Sequence, residues 1–215
     1  SQYHAKIVLV NRKELTKEQE EMVHQIESMG GMVKHFIADM TKQEKIQSVI
    51  SSVKELYGKI DGVFHSAIVL KDKPIKTMDE ELLCKVLEPK DLGTISMLKA
   101  LKEETLDFIV FYSSAQSYMG SFGQANYAAA CTAKDALANS FQQFVGYPVY
   151  VINWGYWGSV GIVAKDQYRD SINTSGILSI LPEEGMHILD LTLSHQIDHV
   201  IAIKFNKELE LSLIH

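Results

Sequence analysis

Short apolar runs alternate with helical patterns along the first third of the chain. Three runs, at residues 5–10, 32–38 and 60–67, are short, apolar and partly β-branched, which is typical of strands buried on both faces of a parallel sheet. Between them, after Thr16 and after Thr41, apolar residues recur at helical spacing. The alternation of strand and helix predicts an α/β fold with a doubly wound parallel sheet.

The remaining two thirds continue the alternation. The predicted elements are a helix over 82–101, a strand over 108–112, a helix over 126–144, a strand over 149–153, a helix from Pro182 and a strand over 199–204. Within the first of these helices, Pro89 must either kink the helix or lie near an irregular turn. The glycine-containing residues 154–176 predict a mobile loop or lid. We expect residues 1–215 to form a single Rossmann-like domain.

Composition and charge argue against several classes of partner and site. The net charge is −6 and no long basic run occurs, which makes nucleic acid and membrane surfaces poor candidates as partners. No apolar run has the roughly 18 residues that a spanning helix needs. Cys84 and Cys131 are the only cysteines, which favours a reducing, cytoplasmic location, and no Cys/His spacing indicates a metal site.

Candidate chemistry concentrates in residues 108–136, where a strand ends in two serines and a tyrosine opens a helix. A tyrosine acts as a general acid when a nearby ammonium lowers its pKa, and a serine hydroxyl can hold a carbonyl. Lys90, Ser114 and Tyr127 can converge at the carboxyl ends of parallel strands. Taken alone, Ser113 and Ser114 are better explained by capping of a strand end. Tyr127 taken alone can be an aromatic residue at a helix start with its hydroxyl in water.

A series of motifs includes these residues. In order they are LVNR, ADMT, DGVFHSA, PKDLG, FYSSAQSYMGSFGQANYAAA and INWGYWGSVG. Together they resemble the ketoreductase domain of modular polyketide synthases, a branch of the short-chain dehydrogenase/reductase superfamily. The resemblance runs from about Ala5 to Phe205. It implies that Tyr127 donates a proton, Ser114 binds the ketone and Lys90 tunes the tyrosine.

The resemblance also implies a cofactor and a substrate. NADPH would be bound by Arg12 at its 2′-phosphate, by Asp39 and Met40 beside the adenine, and by Ser66 and Ala67 beneath it. Arg12 taken alone is more often a solvated charge. The expected reaction is reduction of the β-keto group of an acyl thioester on the phosphopantetheine arm of an acyl carrier protein, beside other domains of a multidomain synthase.

Stereochemistry can be inferred from the same resemblance. B-type members, which give the D-alcohol, usually carry Leu-Asp-Asp where this chain has residues 70–72, Leu-Lys-Asp. Met119 stands where members of the opposite type carry tryptophan, and Asn126 precedes the tyrosine as in B-type members. The resemblance therefore predicts a B-type enzyme with Asp72, Asn126 and Trp154 near the substrate. Core packing is an equal alternative for Trp154.

Two positions depart from the family pattern. Cys131 stands four residues after the tyrosine, where asparagine is usual and counts as catalytic, and a thiol is a weak donor and acceptor. Lys134, one turn further along the same helical face, could reach the site, although a surface or cofactor-side cation is the favoured expectation. No G-x-G-x-x-G motif occurs, and we expect the first strand and its glycine-rich turn to lie upstream of Ser1.

Two other functions compete with this one. A catalytically degenerate, structural ketoreductase-like domain of a megasynthase is favoured by Cys131 and by the missing glycine-rich turn. A free-standing reductase of small substrates usually has lysine four residues after the tyrosine, and this chain does not.

Overall fold

The computed structural model describes residues 4–158 and 176–206. In chain order the elements are β1 (Lys6–Asn11), α1 (Lys17–Ser28), β2 (Met32–Ile37), α2 (Gln43–Tyr57), β3 (Gly62–His65), a 3₁₀ turn (Ile75–Thr77), α3 (Glu80–Leu87), α4 (Leu92–Leu101), β4 (Phe108–Ser114), α5 (Gln116–Met119), α6 (Ala125–Gln142), β5 (Val149–Trp154), β6 (Ile177–Leu178), α7 (Pro182–Ser194), β7 (His199–Ala202) and β8 (Lys204–Phe205). The chain divides into two compact units, of which unit 1 comprises Ser1–Ile60 with Asp91–Thr105, and unit 2 the rest.

Unit 1 contains the parallel pair β1–β2 and helices α1, α2 and α4. Helix α1 begins with a capping box, in which Thr16 Oγ1 accepts from Gln19 N at 3.3 Å and Gln19 Oε1 accepts from Thr16 N at 3.0 Å. Helix α2 packs against α4 and buries Ile46, Ile50 and Val53 at helical spacing. The predicted apolar face of α2 is therefore buried, whereas α1 has no buried residue.

Unit 2 contains a four-stranded parallel sheet in the order β3-β4-β5-β7 and the antiparallel pair β6–β8. Strand β5 is buried along its whole length, and β4 lies between β3 and β5. Ser114 at the end of β4 pairs with Trp154 at the end of β5, which brings the carboxyl ends of two central strands level. Helices α3 and α6 pack on each other in the same unit.

The predicted strands and helices correspond to observed elements, with three corrections. Strands β1, β2 and β3, predicted to be buried on both faces, contain only one buried residue between them, His65. The strand predicted over 199–204 is two short strands, β7 and β8, which belong to different sheets. The predicted long helix over 82–101 is two helices, α3 and α4, with the segment 88–91 between them. The physical reason is Pro89, whose ring lacks an N–H and clashes with the preceding turn. The predicted lid falls mostly on residues 159–175, which lie outside the described residues. In the described part of the chain, no helix is long and apolar enough to cross a membrane.

Candidate active site

The end of β4 and the start of α6 bring Ser114 and Tyr127 together. Ser114 is the last residue of its strand and Tyr127 the third residue of its helix. Both are nearly buried, with 9% and 8% of their surface exposed, and their side chains share a hydrogen bond. The hydroxyl and the phenol that the sequence pairs are therefore in direct contact.

Lys90 approaches the same tyrosine from the turn after α3. Its backbone N–H donates to Leu87 O at 2.8 Å, and Pro89 precedes it. The side chain is 1% exposed, and its Nζ lies 5.0 Å from the centroid of the Tyr127 ring. An ammonium over an aromatic face is attracted by the ring's quadrupole. Three of the four predicted catalytic side chains, those of Lys90, Ser114 and Tyr127, thus converge within unit 2.

The electrostatics of Tyr127 differ from the expectation that Lys90 lowers its pKa. Burial raises the pKa of Tyr127 above its usual value, and neighbouring Cys131 raises it further, while the hydrogen bond with Ser114 opposes both. The phenol is therefore protonated at neutral pH, which is the form that a general acid needs before reaction.

Cys131 fills the position one turn after the tyrosine. It is completely buried and packs with Val86, Ala130 and Tyr127. The contact with Tyr127 is the one expected of residues four apart on a helix. Its side chain also shares a hydrogen bond with Tyr127. The thiol is thus a packing and weak hydrogen-bonding partner of the phenol.

Lys134 is not a surface cation, which was one of the expectations for this residue. It is completely buried, and its Nζ donates to the main-chain oxygen of Tyr112 in β4. A side-chain hydrogen bond also joins it to Lys90. Lys134 lies three residues after Cys131 and seven after Tyr127, which places it on the same helix face as both. Its burial was not predicted, because lysine is rarely fully buried.

A buried polar network behind the site was missed by sequence reasoning. Asn153 Nδ2 in β5 donates to Ser114 O at 3.0 Å and to Asp135 Oδ2 at 2.8 Å. The same carboxylate oxygen accepts from Ser117 Oγ at 2.9 Å, and Asn153 Oδ1 contacts His199 Nε2 at 2.5 Å. The network fixes the backbone of Ser114 against β5 and α6.

The predicted substrate-side residues Asp72 and Asn126 hold two segments together. Asp72 Oδ2 accepts from Gln124 Nε2 at 2.9 Å, and Asn126 Nδ2 donates to Lys71 O at 2.9 Å. Asn126 is 1% exposed, and its Oδ1 accepts from Tyr127 N at 2.8 Å. These residues therefore fix the loop around residue 72 to the start of α6.

Trp154, also predicted to be near the substrate, packs in the core. It is 8% exposed and contacts Tyr112 and Trp157 edge-on, with ring centroids 5.6 and 5.1 Å apart. Met119 and Phe122, in contrast, are exposed on the segment that precedes α6. The surroundings of Trp154 within unit 2 are thus those of a core residue, which was the alternative to a substrate-side position.

The predicted adenosine-binding residues lie in unit 1. Arg12 directly follows β1, and Asp39 follows the adjacent strand β2 by two residues, which places both at one sheet edge. Asp39 Oδ1 accepts from Thr41 N at 2.9 Å and from Thr41 Oγ1 at 2.8 Å. The backbone hydrogen bond is the main cause that lowers the pKa of Asp39, and Arg12 adds to it. An exposed guanidinium beside an ionised carboxylate suits the ribose phosphate and adenine of a dinucleotide, and Met40, half-buried, follows them.

Ser66 and Ala67 follow β3 in unit 2, where small side chains leave space at the strand end. The preceding His65 is buried and stacks on Phe111, with ring centroids 5.5 Å apart. Burial, with Lys134 and Lys90, lowers the pKa of His65 to about 3, so the imidazole is neutral at pH 7. Within residues 4–158 and 176–206, no cluster of His, Cys, Asp or Glu side chains is arranged to hold a metal ion.

Comparisons with known proteins agree with this geometry. Residues 1–159 match the family model of the KR domain. The polyketide synthase PksN of Bacillus subtilis is 34% identical over 206 residues, which are 96% of this chain and 4% of that protein. A ketoreductase domain from the bacillaene assembly line is 25% identical with a TM-score of 0.89, covering 99% of this chain and 52% of that one. A-type ketoreductases from a modular polyketide synthase are 25% identical with a TM-score of 0.88, covering 98% and 44%.

This chain therefore spans a small part of its curated relative and about half of each solved chain. The similarity to the solved ketoreductases confirms the predicted α/β, doubly wound fold class. The resemblance to ketoreductase domains of polyketide synthases is likewise confirmed, by the family model and by the relatives. The chain belongs to the KR domain family.

Proposed function

We propose that this domain reduces the β-keto group of an acyl thioester to a β-hydroxy group, with NADPH as the reductant. The observation that carries the proposal is the convergence of Ser114, Lys90 and Tyr127 in one buried cluster. A hydroxyl that can hold a carbonyl, a phenol that carries a proton and an amine that can replace that proton are the three groups the reaction needs.

Each side chain has one role in this mechanism. Ser114 donates a hydrogen bond to the carbonyl oxygen and orients it towards Tyr127. Bound NADPH supplies the hydride that the carbonyl carbon receives. Tyr127 then gives its proton to the oxygen, which completes the alcohol. The alkoxide formed is a stronger base than a phenolate, so the transfer is favourable even though burial raises the pKa of Tyr127. Lys90 stabilises the phenolate across its ring and returns a proton to it.

We propose that Arg12, Asp39 and Met40 hold the adenosine part of the cofactor. Ser66 and Ala67 would pass beneath the cofactor, where their small side chains leave room for its ribose. The cationic guanidinium favours a 2′-phosphate, hence NADPH over NADH. The sequence contains no G-x-G-x-x-G motif, the usual cradle for the pyrophosphate of a dinucleotide.

The substrate side of the proposal follows from the loop around residue 72 and from the family. We propose a β-ketoacyl chain on the phosphopantetheine arm of an acyl carrier protein, in a multidomain synthase, and a B-type (D-alcohol) product. Asp72 and Asn126 would position the chain because both fix the loop beside Tyr127. Trp154 would act through packing. Both Cys84 and Cys131 are free thiols, which supports a cytoplasmic location.

The test is reduction of a β-ketoacyl thioester by the full-length protein. We expect NADPH absorbance to fall only when the thioester is present, and chiral chromatography to give the D-alcohol. Absence of turnover in a protein that still binds NADPH would contradict the assignment and favour the degenerate structural domain, for which Cys131 is the specific observation. The L-alcohol would contradict only the B-type part.

The role of Arg12 gives a separate prediction. Replacing Arg12 with alanine is expected to raise the KM for NADPH by about 10- to 100-fold, because a charge-assisted hydrogen bond contributes about 1.5–3 kcal/mol. The KM for NADH should stay unchanged, since NADH lacks the 2′-phosphate. Lys13→Ala is the matched control, because Lys13 is an adjacent exposed cation. An equal rise for both cofactors would show that Arg12 does not bind the phosphate.

A further inference from the structure

We propose that Lys134 is a positioning residue, which holds the Lys90 side chain over the Tyr127 ring through a hydrogen bond between the two side-chain nitrogens. The inference rests on the proposed function, because it assigns Lys134 to the reduction in which Lys90 and Tyr127 act. Neither the motif resemblance nor the comparisons give Lys134 a role.

The backbone and the sheet fix where the Lys134 nitrogen lies. Side chains on a helix lean towards its N-terminus, so from Lys134 the side chain reaches back towards Cys131 and the start of α6. Its Nζ donates to the main-chain oxygen of Tyr112, two residues before Ser114 in β4. The residue is completely buried. A long and normally flexible side chain is thereby held between helix and strand.

The second contact of this nitrogen is with Lys90. The two side chains share a hydrogen bond, and Lys90 Nζ in turn lies 5.0 Å from the Tyr127 ring centroid. Two buried ammonium groups side by side would repel each other strongly in a medium of low polarity. Burial, and then Lys90, lower the pKa of Lys134 well below its usual value. A neutral amine at 134 has a lone pair that can accept an N–H from Lys90, whereas an ammonium has none.

Four other titratable groups face or adjoin the Lys134 nitrogen. His65 is neutral at pH 7 because its pKa is about 3, so it adds no positive charge. Cys131 and Asp135 favour the protonated lysine, but their effects are smaller than those of burial and Lys90. The Asp135 carboxylate also accepts hydrogen bonds from Ser117 and Asn153, and these donors partly neutralise its negative charge. Tyr127 is protonated and neutral.

The arrangement gives the site an acceptor that Cys131 does not provide. A thiol is a weak acceptor, and the Lys90 side chain has a flexible four-carbon stem. With the lone pair of Lys134 beside it, the Lys90 nitrogen stays within reach of the phenolate that must regain a proton. A displacement of about 1 Å in such a group can cost on the order of 100-fold in rate.

The test compares two replacements of Lys134 in the full-length protein. Lys134→Met keeps the length and the packing but removes the nitrogen, and kcat should fall about 10- to 100-fold with KM unchanged. Lys134→Gln carries both a donor for Tyr112 O and an acceptor for Lys90, and should restore kcat to within about threefold of wild type. Lys85→Met, at an exposed lysine of α3, is the control and should change neither constant.

A spectroscopic measurement judges the inference without turnover. In ¹⁵N-lysine NMR at neutral pH, the Nζ signal that disappears in Lys134→Met should have the chemical shift of a neutral amine. A protonated Lys134, or a kcat for Lys134→Gln no higher than that of Lys134→Met, overturns the inference. A wild-type protein that binds NADPH but reduces no β-ketoacyl thioester contradicts the proposed function instead, and the NMR signal then decides the inference alone.

Discussion

Tyr127→Phe is expected to lower kcat for β-ketoacyl thioester reduction by about 10²- to 10⁴-fold, the usual contribution of a positioned general acid. The phenyl ring keeps the packing against Val86 and Cys131 and the face that Lys90 approaches, but it has no proton to give. The measurement is kcat and KM from NADPH absorbance, with NADPH affinity determined separately by fluorescence.

Tyr118→Phe is the matched control, because Tyr118 is 59% exposed and its hydroxyl contacts His199 Nε2 at 3.4 Å, away from the candidate site. It should retain wild-type kcat. A Tyr127→Phe protein that keeps more than a tenth of the wild-type kcat, with NADPH affinity intact, would remove the phenol from the mechanism.

Ser114→Ala is expected to lower kcat by about 10²- to 10³-fold, which is the usual cost of removing one preorganised donor to a developing oxyanion. The hydroxyl also donates to the Tyr127 side chain in the substrate-free site, which opposes the rise of the tyrosine pKa. The measurement is kcat from NADPH absorbance with the β-ketoacyl thioester, beside NADPH affinity determined separately by fluorescence.

The adjacent Ser113→Ala separates the two serines. The Ser113 hydroxyl is buried and has no hydrogen-bond partner within residues 4–158 and 176–206. Removing an unsatisfied buried hydroxyl is neutral or stabilising, so kcat should not change and the melting temperature should hold or rise. If Ser113→Ala were the slower variant, Ser113 rather than Ser114 would be the hydroxyl that binds the ketone.

The sequence predicted the parts of the molecule that depend on local patterns. Apolar runs identified the positions of the strands, although β1, β2 and β3 are only partly buried, and helical spacing identified α2 through Ile46, Ile50 and Val53. The meeting of Ser114 and Tyr127 was predictable because a strand end and the following helix start are neighbours in parallel α/β units. These are short-range consequences of side-chain periodicity.

What the sequence did not predict depends on burial and on contacts between distant residues. The pKa of Tyr127 rises because the whole cluster is desolvated, and no local motif reports desolvation. Lys134 is buried although lysine is usually exposed, because a backbone oxygen of β4 and the Lys90 nitrogen are both within its reach. The sequence did not predict a role for Asn153, because its amide joins Ser114 O and Asp135, which are distant from it in the chain.

The ties between residues 71–73 and residues 123–126 have a consequence for domain engineering. Three hydrogen bonds of 2.8–2.9 Å join the segments: Lys71 O with Asn126 Nδ2, Asp72 Oδ2 with Gln124 Nε2, and Lys73 N with Gly123 O. The backbone of Gly123 has φ of 79°, a conformation that most residues adopt at a cost. A graft that exchanges only one of the two segments breaks these three hydrogen bonds. The two segments should therefore be transplanted together between ketoreductases, as one module.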